Sequence, residues 1–175
     1  RLTKPGKDVM ANWPKRYNMV AMCSMATFIC YIDRVNISVA IIPMAEEFDW
    51  DKGTQGLVMS SFFLGYLLTQ IAGGWLADKF GGKLVLGAGV LFWSAFTIIT
   101  PAAAFAGLTI LLLSRVGMGL GEAVTFPSIY SLFSRWVPIT ERTRAIGLNA
   151  SAIPLGTVCA LLLTPVIVLT LGWEW

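Results

Sequence analysis

Five long apolar stretches separated by short polar links make up most of this chain, at about 17–42, 54–77, 83–104, 107–134 and 143–170. A bilayer core about 30 Å thick needs about 20 apolar residues in helix, so each stretch is predicted to cross a membrane once. The links carry turn and cap residues: Asp51-Lys52-Gly53-Thr54, Phe80-Gly81-Gly82, Ala106-Gly107 and Pro138-Ile139-Thr140-Glu141. Links this short make consecutive helices antiparallel neighbours. The pattern predicts an all-α membrane protein, with an N-terminal segment at 1–16 followed by a transmembrane bundle over 17–175.

Composition narrows the chemistry. Apolar residues make up 56% of the chain and charged residues 13%, against about 25% charged in an ordinary soluble protein. There is no histidine, which excludes a His-based metal site or triad. The net charge of +3 is spread over separate loops and gives no basic stripe suited to nucleic acid. Cys23, Cys30 and Cys159 all lie in apolar stretches and are expected to be packing residues, not a disulfide framework. With no nucleophile, metal or cofactor constellation in view, no enzyme activity and no cofactor are expected.

Loop charge predicts orientation. The N-terminal segment holds Arg1, Lys4, Lys7, Lys15 and Arg16; the link after span two holds Lys79 and Lys83; the link after span four holds Arg135, Arg142 and Arg144. The link after span one is acidic, with Glu46, Glu47, Asp49 and Asp51 against Lys52, and the link after span three has no charge. Basic and non-basic links alternate, so the positive-inside rule places the N-terminus in the cytoplasm and Gly172-Trp173-Glu174-Trp175 on the far side.

Four charges fall inside spans: Asp33 and Arg34 in the first, Arg115 and Glu122 in the fourth. Each costs at least about 2.5–3.5 kcal/mol to bury in a bilayer, so all four should face the bundle or a water-filled cavity. Arg115 and Glu122 are seven residues apart, on one helix face and about 10 Å apart along the axis. One reading is structural, ion pairs that fix helix register. The other is a polar site near the midplane, where transporters hold their ligands. Tyr31, Asn36 and Ser38 flank the first pair, and Tyr66 and Gln70 sit mid-span on the second helix. An arginine in such a site grips carboxylate or phosphate through parallel hydrogen bonds. A neighbouring carboxylate that exchanges partners with it would be a coupling device.

Glycines at 65, 73, 74, 87, 89, 117, 119 and 121 suit close helix approach, with sliding surfaces in a moving bundle as the alternative. Pro43, Pro127, Pro154 and Pro165 are expected to kink or end helices. Trp13, Trp50, Trp75, Trp136 and Trp173 fall near predicted interfaces, where anchoring accounts for them.

The link after span two reads Gly74-Trp-Leu-Ala-Asp78-Lys79-Phe-Gly81-Gly-Lys83. It resembles the signature loop of the major facilitator superfamily between transmembrane helices two and three. The resemblance implies a conformational latch made of Gly74, Asp78, Lys79, Gly81 and Lys83. Asp78 is expected to cap the next helix or to pair with a base from a neighbouring one.

A narrower resemblance runs from about Trp13 to Trp175. Tyr31-Ile-Asp33-Arg34-Val-Asn36-Ile-Ser38, Ser60-Ser-Phe-Phe-Leu-Gly-Tyr66-Leu-Leu-Thr-Gln70, Gly119-Leu-Gly-Glu122-Ala-Val-Thr-Phe-Pro127 and Ser134-Arg-Trp-Val-Pro-Ile-Thr-Glu141-Arg142-Thr-Arg144 are similar to the anion:cation symporter family. That family includes sialin-type exporters, vesicular glutamate carriers, plastid phosphate and organic-anion transporters, and bacterial sugar-acid symporters; the plastid type looks most similar. The resemblance implies that Arg34 contacts the anion and that Asp33 and Glu122 take part in proton coupling. It also implies that Arg115 belongs to the same network and that Tyr31 and Tyr66 line the substrate. Tyr130 departs from the pattern, since many animal vesicular members have histidine there. Family members have twelve helices in two halves, so the chain is expected to lack helix six and a C-terminal half that would complete the pathway.

The function expected is secondary active transport of a small anion (phosphate, a sugar acid or another carboxylate) coupled to protons or sodium. The competing readings are a receptor-like or regulatory membrane protein of the same fold and, third, a channel. The residues themselves name neither the anion nor the membrane, which could be plasma or organelle.

Overall fold

The computed structural model describes residues 15–174. Trp13 and the basic residues Arg1, Lys4 and Lys7 lie outside them. Six helices follow one another: α1 Lys15–Glu47, α2 Lys52–Phe80, α3 Gly82–Ala106, α4 Leu108–Glu122, α5 Thr125–Trp136 and α6 Ile139–Leu171. Five spans are long and apolar enough to cross a membrane, with α4 and α5 together forming the fourth over Leu108–Trp136.

The helices overrun the apolar stretches because their polar ends continue the backbone ladder beyond the lipid. α1 and α6 have 33 residues each, about 50 Å at 1.5 Å per residue, well beyond the hydrocarbon core. Glu46 and Glu47, read from sequence as loop residues, therefore close α1, and Lys52 opens α2. Asp51 caps α2, its carboxylate accepting the Thr54 N–H at 2.9 Å. The bond to Thr54 holds this exposed carboxyl below the usual aspartate range, so the cap is present at neutral pH and is lost on acidification. Gly81 at φ 89° and Gly107 at φ 127° make the turns into α3 and α4, a backbone region that side chains with a Cβ avoid. Pro43, Pro101, Pro154 and Pro165 lie inside helices and do not end them.

Span four departs from the expected single helix. The ladder runs to Ala123, whose N–H meets the Gly119 carbonyl at 3.1 Å, and resumes with Ser128 N–H on the Val124 carbonyl, also at 3.1 Å. Pro127 is the cause: it has no N–H for the Ala123 carbonyl, and its ring crowds that carbonyl. The break falls beside Glu122, the last residue of α4.

This broken span is the enclosed one: 61% of its apolar window is buried, against 17–22% in the others. Glycines at every second position let it wedge between α2 and α3, because residues two apart point to nearly opposite sides of a helix. A Cβ on Gly119 would strike the Phe62 carbonyl of α2, and one on Gly65 would strike the Val116 carbonyl in return. Gly117 and Gly121, on the other side, abut Phe96 and Trp93 of α3. These glycines serve close packing, whereas Gly74 and Gly87 have open space around them.

α1 and α6 lie side by side and parallel, joined by rungs at a nearly constant sequence offset. Arg16 pairs with Glu141 at 3.2 Å (125 residues apart), and the Thr27 hydroxyl meets Oδ1 of Asn149 at 3.1 Å (122 apart). Further along, the Thr164 hydroxyl donates to Oδ1 of Asn36 at 2.6 Å (128 apart), and the Trp173 indole donates to Glu47 at 2.6 Å (126 apart). Gly156 seats against the Phe28 carbonyl between these polar rungs. Trp173 and Trp50 also join Phe48 and Phe105 in one aromatic cluster at that end, so anchoring at an interface is not all these two tryptophans do.

Candidate functional site

The four intramembrane charges converge where α1, α2, α3 and α4 meet. Arg34 reaches across to Glu122 with two donors on one oxygen, Nη2 at 2.8 Å and Nε at 3.2 Å from Oε2. Glu122 is fully buried, while the Arg34 side chain keeps 19% of its surface exposed. The sequence left open which arginine Glu122 would choose, and the structure selects Arg34. Arg115, on the same helix as Glu122, forms no ion pair among the described residues. It is 3% exposed, and its Nη1 donates to the Met118 sulfur at 3.2 Å.

Three rings enclose the Arg34 guanidinium: Tyr66 at 4.9 Å, Tyr31 at 5.0 Å and Phe62 at 5.1 Å from its central carbon. Their faces attract the cation and hold the fork in place while leaving its in-plane donors to hydrogen-bond. Phe62 also meets Arg115 at 5.7 Å, so one ring contacts both cations. The sequence reading passed over Phe62; its signal is its place one helical turn before Tyr66. Cys30 was likewise taken for packing alone. It lies one turn before Arg34, and its thiol donates to Glu122 Oε2 at 3.2 Å.

Asp33, though adjacent to Arg34, points elsewhere. Its carboxyl is directed at Trp93 of α3 and lies within the field of Glu122 and Arg115. Charges balance over the cluster, two against two, but the pairing is uneven: one tight pair and two ions that act at longer range.

Several residues expected at a polar site are engaged otherwise. Asn36 is held by Thr164 of α6, and the Ser38 hydroxyl bonds the Val35 carbonyl of its own helix. Gln70 is exposed. A groove of about 790 Å³ opens between α1 and α6 near Arg16, Glu141 and Arg144, and none of the four intramembrane charges lines it.

At the signature loop, Asp78 does not cap α3: the N-cap is Gly81, with no side-chain cap bond. A base does reach this position from a neighbouring helix, α5 of span four, but through the main chain, since Arg135 Nη2 donates to the Asp78 carbonyl at 3.2 Å. Lys79 lies over Trp75 at 4.5 Å, and Lys83 is exposed. Gly82, outside the residues singled out, makes the closest contact: a Cβ there would strike the Ser128 carbonyl of α5.

Comparison with known proteins supplies the frame for this arrangement. The chain is 49% identical over 161 residues to the probable chloroplastic anion transporter 4 of Oryza sativa subsp. japonica, covering 92% of this chain and 27% of that protein. It is 48% identical over 161 residues to the chloroplastic ascorbate transporter of Arabidopsis thaliana, covering 92% and 30%. Identity is also 48%, over 172 residues, to the chloroplastic sodium-dependent phosphate transport protein 1 of the same plant, covering 97% and 34%. The chain thus spans about a third of the length of these relatives. A bacterial homologue of the human lysosomal transporter Spinster, solved in an inward-facing occupied conformation, superposes with a TM-score of 0.85 at 28% identity over 93% of this chain and 35% of that one. The Major Facilitator Superfamily model matches residues 23–175, and the chain belongs to that superfamily.

Proposed function

We propose that this chain contributes the anion-gripping helices of a secondary active transporter for a small anion, with Arg34 as the principal contact. The observation that carries the reading is the Arg34–Glu122 pair, a partly exposed cation whose counter-ion is fully buried. An incoming carboxylate or phosphate offers the same acceptor geometry as Glu122 and can take its place on the guanidinium. The three surrounding rings hold the arginine as its partner changes. Tyr31 and Tyr66 place hydroxyls near the anion, and Arg115, against the same Phe62 ring as Arg34, adds positive potential.

Exchange of partners supplies the coupling. A carboxylate buried in the bundle and deprived of Arg34 is costly as an anion, and taking up a proton removes that cost. Anion binding and proton binding at Glu122 then favour each other, and that reciprocity is what symport requires. Asp33, directed at Trp93 and within the field of the same ions, shares the coupling role. A sodium ion near the two carboxylates is the alternative coupling ion, and one relative is named sodium-dependent. The similarity to phosphate and ascorbate transporters of chloroplasts supports an anion of that size in an organelle membrane.

The signature loop is assigned the role of a latch. Gly74, Asp78 and Lys79 at the end of α2, Gly81 in the turn and Lys83 at the start of α3 make up the latch, which Arg135 and the Gly82–Ser128 contact fasten to α5. The basic character of the loops at this end supports a cytoplasmic position for it.

The experiment is uptake by the intact protein in proteoliposomes over a panel including inorganic phosphate and ascorbate, with pH and sodium gradients imposed separately. Saturable, gradient-driven uptake supports the proposal. Binding without flux would replace it with a receptor-like function.

A further inference from the structure

Glu122 Oε2 accepts three donors, Arg34 Nη2, Arg34 Nε and the Cys30 thiol, while Oε1 is buried with no partner among the described residues. Two of the three donors belong to the group that the proposed mechanism hands over to the anion. Only the thiol, 3.2 Å from Oε2 and fully buried on the same face of α1, stays with the carboxylate. Arg34 Nη2 also approaches the Cys30 sulfur at 3.9 Å, so the thiol sits within the ion pair and not beside it.

From this geometry we infer that Cys30 is a positioning residue for Glu122: its thiol keeps Oε2 turned toward α1 when Arg34 lets go, so that the proton is received on Oε1. The inference rests on the exchange mechanism above only for its purpose; the hydrogen bond and its consequences can be tested without any substrate. A thiol suits the task because it is a weak donor. It orients the carboxylate without competing with Arg34, whereas a strong fixed donor would hold the charged form too firmly to cycle.

The groups that act on Glu122 from every side are accounted for. α1 brings Arg34, Asp33, Tyr31 and Cys30, and α4 brings Arg115. Tyr66 of α2 acts through its contact with Arg34. The charged residues of α2, α3 and α6 lie near helix ends, at 52, 78–79, 83 and 141–144, away from Glu122 at the break of span four. Asp33 interacts with Glu122 and the two titrate as a pair, so the carboxyl band of Glu122 is read in an Asp33→Asn background and assigned by its loss in Glu122→Gln.

The test compares Cys30→Ser with Cys30→Ala in the intact, detergent-solubilised protein. Serine and alanine leave nearly the same small cavity and differ in the donor, so a packing role predicts identical behaviour. The infrared S–H stretch of Cys30, identified by its loss in Cys30→Ser, should lie at the low frequency of a donating thiol and move up in Glu122→Gln. The carboxyl band assigned to Glu122 should titrate about half a pH unit higher in Cys30→Ala than in Cys30→Ser, the worth of one weak hydrogen bond to the charged form. An S–H band indifferent to Glu122→Gln, or equal midpoints in the two variants, overturns the inference. Neither outcome depends on transport, so failure here is separable from failure of the transport reading.

Discussion

Thr27 donates its hydroxyl to Oδ1 of Asn149 at 3.1 Å in the buried seam between α1 and α6. Interhelical hydrogen bonds within membranes average about 0.6 kcal/mol by double-mutant cycle and reach about 1.7. This one should fall in that range, since neither group has water as a substitute. A cycle of Thr27→Val and Asn149→Leu, read by thermal unfolding in detergent, should return a coupling of that size. Full additivity would mean that the seam is held by packing alone.

Arg34→Lys should impair transport although it keeps the charge. Lysine cannot reproduce the Nε and Nη2 fork, nor present a flat face to three rings. Lost charge-assisted bonds of this kind are worth about 1.5–3 kcal/mol, or about one to two decades in apparent affinity. Concentration-dependent uptake measures it, and unchanged affinity would remove Arg34 as the principal contact.

Glu122→Gln, a mimic of the protonated carboxyl, should uncouple. Anion counterflow should persist while a pH gradient no longer drives accumulation. Both are to be measured in the same vesicles, with Asp33→Asn alongside, because two interacting carboxyls titrate as a pair. Full pH-driven accumulation in Glu122→Gln would make this residue a structural ion-pair member.

Gly119→Ala and Gly74→Ala should separate sharply. The first drives a methyl into the Phe62 carbonyl, backbone that cannot swing aside, and overpacking of this kind costs about 1–3 kcal/mol. The second meets nothing within 4 Å and should leave thermal stability unchanged. Should Gly74→Ala nonetheless slow turnover, the latch closes on this glycine in another conformation.

Single cysteines at Asp49 and Lys79, in a background lacking the native thiols, should be labelled by an impermeant reagent from opposite sides of the membrane. Labelling of both from one side would refute the orientation that loop charge predicts.

The five spans and the gathering of Asp33, Arg34, Arg115 and Glu122 were legible because charge is too costly in lipid to appear there without partners. Which arginine Glu122 takes was not, since it depends on how α1 and α4 face each other, which no spacing within one helix reports. Pro127 announced a disturbance in span four, but not that the chain would continue in the same direction after two residues. Cys30 and Phe62 carry no mark that separates them from core residues until their neighbours are known. The α1–α6 rungs escaped notice for a related reason: Thr27 and Asn36 lie more than a hundred positions from Asn149 and Thr164, and Asn36, beside the Asp33-Arg34 pair, was expected at the polar site instead.

Those rungs bear on how the site can move. Arg16 and Glu141 join α1 to α6 near one end, and Glu47 and Trp173 near the other. A sliding step of α1 would have to break every rung at once or carry α6 along. Within this bundle Arg34 is therefore mounted on a two-helix post, and the exchange proposed above calls for a swing of its side chain or a joint movement of α1 and α6, not a slide of α1 alone. Broken span four, clamped by its glycines between α2 and α3, presents Glu122 to that post at its own break.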